Sequence, residues 1–161
     1  MFTFLRVDDR LVHAQLTQRW AKERACDGII VVNDKAANNA LIQQIFQTSY
    51  ARPVFTLSKE TWKKKGDFYN RSKKRYFLIT KDIEDMAEIL LEPSFVLQGE
   101  KEVVVGTNEE KQGAIELGKH QYLTSEEAKC CQDLQDGGYQ VIFALLKETQ
   151  IGTWDDFKSR F

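Results

Sequence analysis

Asp8-Asp9-Arg10-Leu11-Val12-His13-Ala14-Gln15 gathers two carboxylates, a guanidinium, an amide and one of only two histidines into eight positions. A neutral imidazole, whose ordinary pKa is about 6.5, is an available nucleophile near pH 7, and phosphoryl transfer is the chemistry this set suits. An arriving phosphoryl group brings roughly two negative charges that need donors. Arg10 can offer a planar fork, and a helix starting beside His13 would add N–H groups and the positive end of its dipole. Asp9 is placed to orient the imidazole through one ring nitrogen and leave the other free to attack, as carboxylates do for catalytic histidines. Gln15 is a neutral donor. The same residues also suit a solvated loop with charges around a histidine, and residue chemistry alone leaves both readings open.

The elements that must position this cluster alternate along the chain. Phe2 to Val7 reads as a first strand, after which Val12, Leu16 and Trp20 recur at helical spacing. Gly28-Ile29-Ile30-Val31-Val32 has the continuous apolar look of a buried parallel strand. Leu41, Ile42, Ile45 and Phe46 mark a helix closed by Arg52-Pro53, Pro53 to Ser58 a third strand, and Lys59 to Lys65 a short helix. Tyr76 to Ile79 is a fourth strand, and Asp82 can cap the helix of Met86, Ile89 and Leu90. Val103 to Val105 reads as a strand ending in the Gly106 turn, and Gly113 to Thr124 as an extended excursion or hairpin. Thr124-Ser125-Glu126-Glu127 is a capping box opening a helix that Gly137-Gly138 closes. Val141 to Leu146 is a last core strand, and Thr153-Trp154-Asp155-Asp156 starts a terminal helix. The alternation predicts an α/β fold of three layers, α/β/α, with a mostly parallel open sheet flanked by helices on both faces. In such sheets ligands bind at the carboxyl ends of the strands, which is where the Asp8–Gln15 cluster falls.

Composition narrows the class. The 161 residues are 42% hydrophobic and 29% charged, a balance that excludes intrinsic disorder and predicts one domain over 1–161. A net charge of −1 gives no global pull toward nucleic acid or lipid. No apolar run approaches a membrane span, and Met1 leads directly into strand-like sequence, so a cytoplasmic location is expected. Cys26, Cys130 and Cys131 cannot all pair and stand in no C-x-x-C spacing, and His13 and His120 have no neighbouring ligand. Reduced cysteines, no metal and no cofactor are expected.

The run Arg6-Val7-Asp8-Asp9-Arg10-Leu11-Val12-His13-Ala14-Gln15 resembles the R-I-D-D-R-L-I-H-G-Q signature of the mannose-family IIB components of the bacterial phosphoenolpyruvate-dependent sugar phosphotransferase system. Val31-Val32-Asn33-Asp34-Lys35-Ala36-Ala37 is similar to that family's V-V-N-D-x-x-A, and looser likeness continues through Leu78 to Lys81, Val103 to Gly106 and Leu123 to Glu127. The resemblance implies a phosphoryl carrier. His13 would accept phosphate from a IIA phosphohistidine and pass it to a sugar held by membrane IIC and IID components, with the protein peripherally associated with that permease. Arg10 would be the phosphate-facing cation, Asp9 and Gln15 would sit beside it, and Asn33 and Asp34 would close the neighbouring loop. The chain departs from the pattern at Ala14, where the family has glycine, and at Thr107-Asn108-Glu109-Glu110, which sets two acids near a site rim. These departures keep a regulatory or binding module of the same fold as the alternative.

Two other classes fit less well. A receiver domain also ends its first strand in paired acids, but it needs an aspartate after strand three, and Val54 to Lys59 has none. The stretch Lys63 to Arg75 carries seven Lys or Arg against Asp67, with Phe68 and Tyr69 between, which nucleic acid would favour. A solvated helix end before a buried strand explains it as well, and no nucleic-acid partner is expected. His120, between Lys119 and Gln121, reads as a surface residue, and Trp62 and Trp154 as packing residues.

Overall fold

Strand and helix alternate as the sequence implies, and the mostly parallel three-layer α/β/α fold follows. The computed structural model describes residues 1–161, apart from the side chains of Gln15 and Leu16. Seven strands form the main sheet: β1 (Phe2–Val7), β2 (Gly28–Val32), β3 (Val54–Leu57), β4 (Tyr76–Thr80), β5 (Glu102–Val105), β8 (Gln140–Ala144) and β9 (Gln150–Thr153). Their order is β3-β2-β4-β1-β5-β8-β9, all parallel except the antiparallel pair β8 and β9. All of Gly28–Val32 and Tyr76–Thr80 is buried, as a sheet covered on both faces requires.

On one face lie α1 (Ala14–Glu23), α2 (Asp34–Ala37) and α3 (Ala40–Ser49), which bury Trp20, Ala36 and Phe46 against Phe4, Ile29, Val31 and Phe77. The other face carries α4 (Lys59–Asn70), α5 (Ile83–Leu90), α6 (Ser125–Asp136) and α7 (Trp154–Phe157), with Trp62, Met86, Leu134 and Trp154 in a second core. Trp62 and Trp154 are packing residues, as expected. A two-stranded ribbon, β6 (Ile115–Gly118) and β7 (Gln121–Leu123), resolves the Gly113–Thr124 excursion as a hairpin.

Several boundaries differ from expectation for local reasons. α4 runs on to Asn70, because Gly66 packs under the Trp62 ring and Tyr69, two turns after Trp62, returns to the core. Its lysines point outward, and pairs such as Lys64–Glu60 and Lys63–Glu88 neutralise part of the basic stretch. The helix expected from Leu41 to Phe46 forms as α3, capped by Asn39, and a short helix that was not expected, α2, precedes it with Asn33 as its cap. Asp82 occupies the N-cap of α5, but its side chain makes no capping bond. The last strand stops at Ala144; Leu145 and Leu146 lead through a tight turn into β9, which the sequence reading did not include. The capping box does form: Thr124 Oγ1 accepts from the Glu127 N–H, and the Thr124 N–H donates to Glu127 Oε2 at 2.8 Å.

This topology fixes where a site can be. Val7 lies level with Thr80 of β4 on one side and Val105 of β5 on the other. From β1 the chain leaves through α1 toward β2; from β5 it leaves through α6, on the opposite face, toward β8. A crevice must open between the carboxyl ends of two such diverging strands.

Candidate functional site

The loop from Asp8 to His13 and the loop from Gly106 to Asn108 form that crevice. Arg6, one residue before the end of β1, is a charged residue among Phe4, Leu5 and Val7, and it is only 3% exposed. Its guanidinium donates through Nη1 to the Ala144 carbonyl at 2.8 Å and through Nη2 to Asp8 Oδ2 at 2.9 Å, and it lies over the Trp20 ring. Asp8 is buried as well. Its Oδ1 accepts the Arg10 backbone N–H at 3.1 Å and Arg10 Nε at 3.2 Å, and Oδ2 faces Arg10 Nη2 at 3.4 Å. Burial alone would raise the Asp8 carboxyl, but the Arg6 charge and the hydrogen bonds from Arg10 and Arg6 outweigh it and hold it below the usual carboxylate range. Burial pulls the Arg6 guanidinium down from its ordinary value, and Asp8 opposes that pull. The Arg6–Asp8–Arg10 trio carries one net positive charge, and its outermost member, Arg10, is 40% exposed.

Gly106 makes room for this arrangement. A Cβ there would fall on Arg6 Nη2 and lie 2.5 Å from Cζ. Gly106→Ala is therefore expected to push the guanidinium off Asp8 and destabilise the protein by about 2 kcal/mol or more, as overpacking beside a buried ion pair does. A denaturation midpoint within error of the wild type would contradict that geometry.

Past Asp8 the chain turns sharply. The Leu11 N–H donates to the Asp8 carbonyl at 2.9 Å, and Leu11 adopts φ 56°, a left-handed conformation costly for a branched residue. His13 follows as the extended N-cap of α1, and its side chain makes no capping bond. No acidic residue stands in the first turn of α1, so no carboxylate of its own offsets the positive end of the helix dipole beside His13. Ala14 is the first helical residue, so the glycine conformation that its position raised is not required, and alanine favours the helix.

The remaining sequence-derived candidates separate. Asp9 makes no hydrogen bond to the imidazole among the described residues: its Oδ1 accepts from Thr107 Oγ1 at 2.6 Å, and its N–H donates to the Thr107 carbonyl. His13 Nδ1 is buried without a hydrogen-bond partner among the described residues. Asn33 and Asp34 serve the corner at the end of β2, where Asn33 caps α2 and Asp34 Oδ1 accepts the Lys59 N–H at 2.8 Å. They make no hydrogen bond to the His13 loop among the described residues. The side chain of Gln15 lies outside the described residues.

Asp9, Arg10, Thr107, Asn108, Glu109, Glu110, Tyr122 and His120 line a cavity of about 430 Å³ beside the loop. Glu109 and Glu110 stand at its rim as the sequence implies, and His120 is exposed as expected; that Tyr122 and His120 belong to the site is what sequence reasoning passed over. His120 reaches it because the β6–β7 hairpin folds back over β5. Gln121 Nε2 donates to the Val105 carbonyl at 2.9 Å, the Asn108 N–H donates to the His120 carbonyl at 3.0 Å, and Asn108 Oδ1 accepts the Tyr122 N–H at 2.7 Å. His120 sits at φ 59° in the hairpin turn, a position that ordinarily favours glycine or asparagine. Its place beside Arg10 is a product of long-range pairing that nothing in its neighbours Lys119 and Gln121 announces. No cluster of three or more metal-ligating side chains occurs, and no helix is long and apolar enough to cross a membrane, among the described residues.

The fold and crevice define an α/β domain with an exposed cation and an open helix start at a topological switch point. Residues 2–160 match the family model described as PTS system sorbose subfamily IIB component, and the chain belongs to that family. It is 25% identical over 151 residues to the PTS system sorbose-specific EIIB component of Lacticaseibacillus casei, covering 91% of this chain and 88% of that protein. It is 34% identical over 94 residues to a probable phosphotransferase enzyme IIB component of Streptococcus pyogenes, covering 57% of this chain and 58% of that protein. The crystal structure of the IIBSor domain of the sorbose permease from Klebsiella pneumoniae superposes with a TM-score of 0.84 at 19% identity, over 100% of this chain and 98% of that one, a likeness of fold.

Proposed function

We propose that the chain is a phosphoryl carrier: His13 accepts phosphate from a IIA phosphohistidine and passes it to a sugar during uptake through membrane IIC and IID components. The observation that carries this reading is His13 itself, standing at the uncapped start of α1 one turn of loop away from a guanidinium that Asp8 holds. Membership of the IIB family supports phosphotransfer as the chemistry. In this reading the protein works in the cytoplasm, meeting the permease at the membrane surface, and needs no metal or cofactor.

The residues divide the work physically. The imidazole attacks the phosphorus of the donor phosphohistidine, the donor nitrogen leaves with the bonding pair, and the new N–P bond is later broken by the sugar hydroxyl. Arg10 keeps N–H groups beyond those on Asp8, and these face the phosphoryl oxygens while Asp8 fixes the plane of the guanidinium. The N–H groups of α1 take up further negative charge. Reaction with phosphoenolpyruvate, the general phosphotransfer proteins and a matching IIA, followed by mapping of the phosphate at neutral pH, tests the reading. Label on His13 is expected; label elsewhere, or none, rejects it.

Arg10→Lys tests the fork separately. Lysine keeps the charge but cannot grip Asp8 and the phosphoryl group in one plane. Transfer is expected to slow about tenfold, the effect of losing about 1.4 kcal/mol of charge-assisted bonding in the transition state. Equal rates for Arg10→Lys and wild type would remove Arg10 from the phosphoryl group.

A further inference from the structure

One hydroxyl stands between two carboxylates at the mouth of the crevice. Thr107 Oγ1 is 2.6 Å from Asp9 Oδ1 and 3.0 Å from Asp8 Oδ1, and it has a single proton to give. Asp8 already accepts from Arg6 and Arg10, so its charge is met without Thr107. Asp9 has no other side-chain donor among the described residues, and the shorter contact is the one to Asp9. The backbone adds a second tie, since the Asp9 N–H donates to the Thr107 carbonyl at 2.9 Å. Thr107 is itself nearly buried, so its rotamer is set by the packing around it.

Asp9 and Arg10 are adjacent in sequence, opposite in charge and line the same cavity. An Asp9 carboxylate that lost its donor would be drawn to the outward N–H groups of Arg10. Those are the groups that a phosphoryl oxygen would use, so the carboxylate would act as a built-in competing anion. We infer that Thr107 is a positioning residue for phosphoryl transfer: its hydroxyl holds the Asp9 carboxylate against the loop after β5 and keeps the Arg10 guanidinium open to the phosphoryl group. The inference rests on the phosphocarrier reading for its kinetic consequence, but not for its geometry. It also gives a physical role to a position where this chain puts a hydroxyl next to the crowded Gly106.

Three variants and one structure test it. Thr107→Val keeps the shape and removes the donor, Thr107→Ser keeps the donor, and Asp9→Asn added to Thr107→Val removes the competing charge. Thr107→Val is expected to lower kcat/KM for the phosphorylated IIA donor about tenfold, mainly through KM, which is the scale of one hydrogen bond to a charged acceptor. Thr107→Ser should stay close to wild type, and the double variant should recover most of the loss. Wild-type kinetics in Thr107→Val would overturn the inference, as would a slow Thr107→Val that neither the serine nor the added Asp9→Asn repairs. A crystal structure of Thr107→Val supplies the readout that does not depend on phosphotransfer. Asp9 turned onto Arg10 supports the positioning role, and Asp9 unmoved rejects it. A wild type that takes no phosphate on His13 sinks the carrier reading alone, and the structure of the valine variant still decides the role of Thr107.

Discussion

His13→Ala is expected to abolish an acid-labile phosphate on the protein while leaving the fold in place. A phosphate on an imidazole nitrogen is a phosphoramidate, which hydrolyses in acid and survives base, whereas a serine ester survives acid and an acyl phosphate is lost in base. The chemistry of the label therefore reports its attachment before any mapping. The fold should tolerate the change, because His13 is half-buried at an N-cap where its side chain makes no capping bond and its Nδ1 has no partner. Cap substitutions cost about 1 kcal/mol when a capping bond is lost, and here none is present to lose. The backbone features that build the loop, Leu11 bonded to Asp8 and Thr17 bonded to the His13 carbonyl, do not depend on the imidazole. The expected result is therefore a protein with a wild-type melting profile, no label, and no passage of phosphate to a sugar. Label that persists in His13→Ala would move the acceptor elsewhere. His120, the other histidine, would then be the first residue to replace, since it lines the cavity beside Arg10.

Much of the frame that holds His13 was legible from local pattern. Gly28 to Val32 has the look of a buried strand and is one, the Thr124–Glu127 box forms the two reciprocal bonds its residue types imply, and the acidic-basic cluster after Val7 stands at the carboxyl end of β1. What stayed hidden depends on distance along the chain. Arg6 finds its second acceptor at Ala144, 138 residues away, and Asp8 and Asp9 meet Thr107 across the β1–β5 pairing. A sequence shows that a charge stands in a strand, but the partner that makes its burial tolerable comes from the register of that strand with its neighbours. Asp9 takes its donor from the same kind of distance: its carboxylate is hydrogen-bonded not to the histidine four residues on but to a threonine almost a hundred residues later. β9 escaped for the opposite reason. Gln150-Ile151-Gly152-Thr153 is short, half-exposed and interrupted by a glycine, so it carries no periodic signal and is a strand only because β8 offers it an edge. The length of α4 was obscured by Gly66, which reads as a helix end until the Trp62 ring is seen lying against it.

The largest stability effect should come from Asp8, a residue with no direct part in the bond-making step. Asp8→Asn keeps the shape but leaves the Arg6 guanidinium, 3% exposed, without a counter-charge. Breaking a buried ion pair from one side costs about 3–5 kcal/mol, because the surviving charge stays desolvated. The Ala144 and Leu145 carbonyls still accept from Arg6, so the lower part of that range is expected. Transfer should also fall, since Arg10 loses the carboxylate that fixes its plane. Adding Arg6→Met to Asp8→Asn removes the stranded charge and should restore much of the stability without restoring transfer, which separates holding the fold from aiming Arg10. The pH dependence has a definite sign. The folded-state pKa of Asp8 is depressed, so its contribution is present in full above the unfolded carboxylate value of about 3.9 and is lost as pH falls through the folded value. The stability gap between wild type and Asp8→Asn should therefore be constant from about pH 7 down to about pH 5, and narrow below about pH 4. A gap under about 1 kcal/mol at neutral pH would class the pair with exposed salt bridges, which contribute that little. A gap that widened in acid would mean that Asp8 binds its proton more readily folded than unfolded, the reverse of what two flanking arginines impose.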